Sequence, residues 1–193
     1  MAILDVVVVP DPLLREKARP IEKFDPELRQ LASDMLETMA VAEGVGIAGP
    51  QVGLLQRLFV MRLREDDKRV PEGHPLTGKG LVLVNPEIIE RNDEWEEGME
   101  GCLSIPGYVG LVPRRTRIVV QARNEWGKPK RYEVEGFVAR VMQHEIDHLD
   151  GILFLDRLTG DDKLFKVEPA NEEASEASEE TNDSLPADQS SQI

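Results

Sequence analysis

The stretch from Phe137 to Gly151 constrains this chain more than any other. Phe137, Val141, His144 with Glu145, and His148 follow one another at helical spacing, and Gly151 is placed to cap the helix. Within it stands Gln143-His144-Glu145-Ile146-Asp147-His148. Residues four apart stack one turn above the other, so both imidazoles point at one place and can hold one metal ion. Glu145 is adjacent on that face, three residues before His148, where it can take a proton from metal-bound water. Phe137, Val141 and Leu149 require the same helix to be partly buried. The fold has to be built around it.

A second helix is written at Asp25-Pro26, a side-chain acceptor at the N-cap followed by a proline whose missing N–H costs nothing there. Leu28, Leu31, Met35 and Met39 share one face, and the helix runs to about Ala42 and ends at Gly44. From Gly44 to about Glu135 the pattern is strand-like: Leu58 to Met61, Leu81 to Asn85, Ile88-Ile89, Arg117 to Ala122 and Tyr132 to Val134. Gly53, Pro86, Pro106-Gly107, Pro113 and Asn124 to Gly127 read as the turns between them. Arg64 to Gly80 reads as an exposed polar loop, and its His74, between Gly73 and Pro75, as a loop histidine without a functional part. Beyond Glu168 the composition is Glu, Ser, Ala, Asn and Asp with no aromatic residue, which cannot offset the entropy of ordering. The expected architecture is α+β: antiparallel strands packed around a central metal-binding helix, an N-terminal helix, and a disordered acidic C-terminal tail. Residues 1–166 form the catalytic domain and 167–193 the tail.

The net charge of -14 argues against a nucleic-acid backbone as partner. Eight Asp or Glu and no Lys or Arg lie in residues 167–193, so the tail carries more than half of that charge. The longest apolar runs, Val6 to Val9 and Leu81 to Val84, are strand-sized and far too short for a bilayer. The first residues carry no secretory or transit pattern, and a cytoplasmic protein is expected. Cys102 is the only cysteine, which excludes an intrachain disulfide.

A two-histidine site needs a third protein ligand, and the candidates separate enzyme classes. The extended motif His-Glu-x-x-His-x-x-Gly-x-x-His fails at one residue: Gly151 is in place, but Phe154 stands where the third histidine belongs. A downstream glutamate is available only as Glu168 or Glu172, at the edge of the tail. Cys102 remains, set in Glu100-Gly101-Cys102-Leu103-Ser104 and followed by Ile105-Pro106-Gly107, where small and turn-forming neighbours hold a tight path. A thiolate is a good ligand for Zn²⁺ or Fe²⁺. A third segment, Gly44-Val45-Gly46-Ile47-Ala48-Gly49-Pro50-Gln51-Val52-Gly53, lets backbone approach a ligand closely and offers the Gln51 amide. It also reads as a plain glycine-rich turn between helix and strand. No Lys-Ser/Thr follows and the helix precedes it, so it is not a phosphate loop.

Together and in this order, the three segments resemble the peptide deformylase family, with its Gly-x-Gly-apolar-Ala-x-x-Gln, Glu-Gly-Cys-Leu-Ser and Gln-His-Glu-x-x-His motifs. The likeness spans Gly44 to Gly151, and Asp11-Pro12-Leu13-Leu14-Arg15 resembles the family's N-terminal stretch. Gly49 departs from it where members usually have alanine, and so does the acidic tail, where many bacterial members have a helix.

The resemblance implies that Cys102, His144 and His148 bind the metal and that Glu145 is general base and acid. It implies that Gln51 and the Leu103 N–H bind the oxyanion, that Glu100 pairs with Arg114 to fix the ligand loop, and that Val45 and Gly46 bind the substrate backbone in β-addition style. The expected reaction is hydrolysis of the N-formyl group from the formyl-methionine of new polypeptides near the ribosome, with formate released. Val141 and Phe137, one and two turns before His144, are expected to line the methionine pocket. Cys-His-His chemistry admits Zn²⁺, Fe²⁺, Ni²⁺ or Co²⁺, and only the resemblance points to iron. Two other readings fit the helix alone: a metallopeptidase that cuts internal peptide bonds, and a catalytically silent, metal-stabilised binding module.

Overall fold

A computed structural model describes residues 2–167. Apart from Val167, the expected disordered tail lies outside the described residues. Two α-helices and eight β-strands make up the rest, together with short 3₁₀ turns. The architecture is mixed α and β with antiparallel sheets. No helix among the described residues is long and apolar enough to cross a membrane.

Helix α1 spans Pro26–Val41, and Asp25 caps it by accepting the Leu28 N–H at 3.0 Å. Its end is sharper than expected. The left-handed residue is Glu43 (φ 54°), and the N–H groups of Glu43 and Gly44 return to Ala40 and Met39. That is a Schellman motif with glutamate where glycine is usual.

A five-stranded sheet is ordered β1 (Gly46–Ala48), β2 (Leu58–Arg62), β3 (Gly80–Arg91), β6 (Arg117–Arg123) and β7 (Pro129–Glu135). Alternate side chains of β2 explain why its run is apolar throughout: Leu58 and Val60 pack with Leu28, Met35 and Met39 of α1, whereas Phe59 and Met61 pack with Val138, Met142 and Ile146 of the second helix. Both faces are covered at this strand, so neither can be polar there. Each fully buried Val, Leu, Ile, Phe or Met contributes about 1.5–3 kcal/mol.

A three-stranded sheet is ordered β4 (Trp95–Gly101), β5 (Tyr108–Arg115) and β8 (Leu164–Lys166). Between the sheets runs α2, Gly136–Leu149, nearly all of it buried rather than half-buried. It packs on β1, β2, β6 and β7 on one side and on β5 on the other.

Two expected turns are corrected. Leu81 to Asn85 and Ile88-Ile89 belong to one strand, and Pro86 lies inside it at a register shift between Val84 and Glu87. A bulge tolerates the missing N–H, and Asn85 takes a left-handed conformation there (φ 51°). Pro113 lies inside β5 opposite Glu97, where β8 no longer runs alongside, so no ladder is lost on that side. β4 and β5 themselves went unread because Glu96, Glu97, Gly98, Gly101, Arg114 and Arg115 break the apolar pattern.

Helix α2 ends as expected. Gly151 has φ 74°, and Gly151 and Ile152 donate back to His148 and Asp147. A methyl group on Gly151 would meet the Arg15 carbonyl oxygen at 2.3 Å. Gly151→Ala is therefore expected to lower stability by at least about 1–3 kcal/mol, from left-handed backbone strain alone. A melting temperature equal to that of the parent chain would refute this.

Candidate active site

Arg140, His144 and His148 form one stripe along α2, each a turn beyond the last, facing β4 and the turn that follows it. Cys102 opens that turn, held by the Ile105 N–H on its carbonyl at 2.9 Å. Its Sγ lies 3.2 Å from His148 Nε2. Ligand atoms of Cys102, His144 and His148 all lie within 4.8 Å of one another. One thiolate and two imidazoles are a donor set that suits a divalent transition ion.

The outer contacts fit the same purpose. His144 Nδ1 lies 2.9 Å from Glu100 Oε2, which leaves its other ring nitrogen for the cluster. Glu100 takes four bonds in all. Arg114 Nε and Nη2 approach at 2.8 and 3.0 Å, and Arg140 Nη1 at 3.0 Å completes the set with His144. His148 Nδ1 is buried without a partner among the described residues.

The electrostatics split the two carboxylates. Burial opposes the charged form of Glu100, but Arg114 and His144 outweigh it and hold its pKa at about 2. Burial pushes Glu145 up to about 7, against the pull of a charged His144, and its Oε2 has no partner among the described residues. Burial also opposes charge on His144, yet its bonds to Cys102 and Glu100 keep it well above the usual histidine value. His148 is held well below that value by burial, then by the charge on His144. A bound cation competes for the lone pair that the His144 proton occupies.

Gln51 closes the site opposite α2. Its Oε1 accepts the Ala48 N–H at 2.8 Å, which turns Nε2 toward Cys102 Sγ (3.5 Å) and Ser104 Oγ (3.2 Å). The Leu103 N–H has no acceptor among the described residues. Gly46 backs directly onto Glu145: a methyl there would crowd its Oε1. A cleft of about 300 Å³ opens over these groups, with Val45, Gly46, Leu103, Phe137, Val141 and Glu145 among its walls.

Ten of the twelve expected site residues meet at this cleft. His148 and Arg114 lie behind it, in contact with Cys102 and Glu100. Val45 is adjusted: its carbonyl already accepts the Arg62 N–H at 2.9 Å, so it faces β2. By antiparallel alternation Gly46 presents its peptide groups to the open edge of the sheet.

Several contributors went unread in the sequence. Ser104 is fully buried against Gln51, and Asp147 receives Arg114 at 2.5 Å. Arg140 shares the stripe of the histidines, and its spacing was the signal, obscured because a helix arginine ordinarily reads as solvated. Arg69, from the 64–80 loop, lies 3.9 Å above the Phe137 ring. Phe154, where a third histidine would stand, is buried with its ring 6.4 Å from that of His144.

A model of the polypeptide deformylase family matches residues 3–164. A peptide deformylase of Alkalilimnicola ehrlichii is 50% identical over 159 residues, covering 82% of this chain and 84% of that protein. Among solved structures, the peptide deformylase of Ehrlichia chaffeensis in complex with actinonin superposes with a TM-score of 0.76 at 39% identity, over 82% of this chain and 90% of its own. The Met-Ala-Ser-bound peptide deformylase of Acinetobacter baumannii gives 0.75 at 36% identity, over 81% and 99%.

Cys102→Ala is expected to weaken Co²⁺ binding by more than about 100-fold, the upper range for loss of a mere outer contact. Competition against a chromophoric chelator measures it, and an unchanged affinity would remove Cys102 from the site.

Proposed function

The chain belongs to the polypeptide deformylase family, and from that premise we propose how its residues divide the work of removing the formyl group from an N-terminal formyl-methionine. The family is metal-dependent and acts on formylated new polypeptides. The observation that carries the assignment is a buried Glu145 carboxylate, its Oε2 without a partner among the described residues, beside the Cys102–His144–His148 cluster and under a sheet edge.

Cys102, His144 and His148 would hold the ion, with Glu100 and Arg114 fixing the orientation of His144. A divalent ion held there would supply Lewis acidity, enough to make water reactive near neutral pH. Glu145, on the wall of the cleft beside the cluster, receives the proton of the attacking water. As water adds to the formyl carbon, charge grows on the formyl oxygen, and Gln51 Nε2 and the Leu103 N–H donate to it. A donor so placed is worth about 3–4 kcal/mol. Glu145 then passes its proton to the leaving nitrogen, the C–N bond breaks, and formate and the free amine result.

Gly46 pairs with the peptide backbone of the substrate, Val45 supplies the adjoining wall, and Phe137 and Val141 receive the methionine side chain. The Met-Ala-Ser bound by the Acinetobacter baumannii protein has the chemistry of such a product. Iron, as Fe²⁺, is the native ion by family likeness, with Zn²⁺, Ni²⁺ and Co²⁺ as alternatives of the same donor chemistry. Residues 1–166 make up the catalytic domain, and the work is done in the cytoplasm near the ribosome.

Formate release from formyl-Met-Ala-Ser, with anaerobically prepared protein of measured metal content, tests the reading. Glu145→Gln is expected to lose about 10²–10⁴-fold in turnover while keeping its metal. Full metal with unchanged turnover would remove Glu145 from the chemistry. Val141→Asp is expected to lower kcat/KM roughly 10- to 100-fold, because a carboxylate then faces an apolar side chain. Unaltered kcat/KM would place the methionine elsewhere.

A further inference from the structure

Helix α2 carries a second carboxylate that the reaction does not use. Asp147 stands three residues after His144 and one before His148, with only 10% of its side chain exposed. Its Oδ2 accepts Arg114 Nη1 at 2.5 Å. From the outer side Arg157 grips both oxygens, Nη2 to Oδ1 at 2.7 Å and Nε to Oδ2 at 3.0 Å. Arg114 in turn spends its other two nitrogens on Glu100, which holds His144 Nδ1. An unbroken line of charge-assisted bonds thus joins a surface arginine to an imidazole of the cluster.

We propose that Asp147 is a positioning residue for His144, acting through Arg114 and Glu100, with Arg157 as its outer clamp. A guanidinium is a rigid plane with nitrogens on three sides. Glu100 engages one edge of Arg114 and leaves Nη1 as the remaining point that can fix the plane's rotation. Asp147 supplies the acceptor there and balances a buried positive charge that Glu100 shares with Arg140. With the fork fixed, Glu100 is fixed, and so are the proton on His144 Nδ1 and the direction of the opposite nitrogen. Asp147 itself is not among the walls of the cleft, and among the described residues its carboxylate accepts hydrogen bonds only from arginines.

The inference rests on the proposed metal set, and the test separates the two. Co²⁺ affinity is measured by chelator competition, with the visible spectrum of the cobalt form, for the parent chain, Asp147→Asn, Glu100→Gln and the double variant. Asp147→Asn is expected to bind Co²⁺ roughly tenfold more weakly and to shift the cobalt spectrum, as loss of an outer partner does. KM for formyl-Met-Ala-Ser should move less than kcat. Combined with Glu100→Gln, the second change should add little, because both act on one path. Additive losses would overturn the route through Glu100, and an unchanged affinity and spectrum would overturn the role altogether. A parent chain that binds no Co²⁺ would sink the metal set and this inference with it. Should Asp147→Asn fail to fold, Arg157→Gln decides in the same assay. It removes a side chain that is 43% exposed, and it is expected to weaken Co²⁺ binding in the same direction; no change would overturn the inference.

Discussion

Helix α2 buries a row of polar side chains between two sheets, and most of the architecture follows from the need to satisfy them. Arg140, Gln143, His144 and Asp147 all lie below 9% exposure. Arg140 donates to the carbonyls of Glu96, Gly98 and Val112, and Gln143 exchanges bonds with the backbone of Arg115. A buried charge left without partners costs several kcal/mol, so β4 and β5 can take only positions that meet these donors. Because β4 is pinned there, the turn at its end delivers Cys102 to His148. The ligand cluster is in this sense a by-product of how the helix is solvated by its neighbours.

The same packing sets two carboxylates to opposite tasks. Glu100 and Glu145 are comparably buried, yet one receives four donors and is held near 2 while the other receives none and is pushed to about 7. Burial alone acts alike on both; the arginines decide. A cation beside Glu145 lowers its value again, so the group is poised rather than permanently protonated. Had Arg114 or Arg140 reached Glu145 instead, the carboxylate would be locked in its charged form and of little use for returning a proton.

Periodicity made α1, α2 and the strands of the larger sheet legible, because those elements bury regular apolar faces. Leu58 to Met61 and Met35 with Met39 announce a core whatever the function. The smaller sheet was not legible, since Gly98 and Glu100 in β4 are there to meet Arg140 and Arg114 rather than to pack. Pro86 and Pro113 read as turns because the bulge and the missing neighbour that accommodate them exist only in three dimensions. At the site, motif spacing reached His144, Glu145 and His148, while Cys102 came from the need for a third ligand and from the resemblance. The contacts of Asp147, Arg140 and Ser104 depend on which strand lies opposite, and helix spacing does not say that.

Gly46 shows how narrow the margin at the cleft is. Glu145 lies so close beneath it that a methyl group there would displace the carboxylate, and β1 is only three residues long, with one flank on β2 and the other unpaired among the described residues. An exposed sheet edge is ordinarily a liability that proteins blunt with charge or proline. Here the edge stays short, and Pro50 follows at once in the next turn, so few peptide groups are left unpaired. A peptide that adds to this edge at Gly46 has its backbone registered within reach of Glu145 by main-chain bonds alone, whatever its sequence. In the proposed reading side-chain selection is then left to Phe137 and Val141, which suits a site that must accept many polypeptides sharing only their first residue.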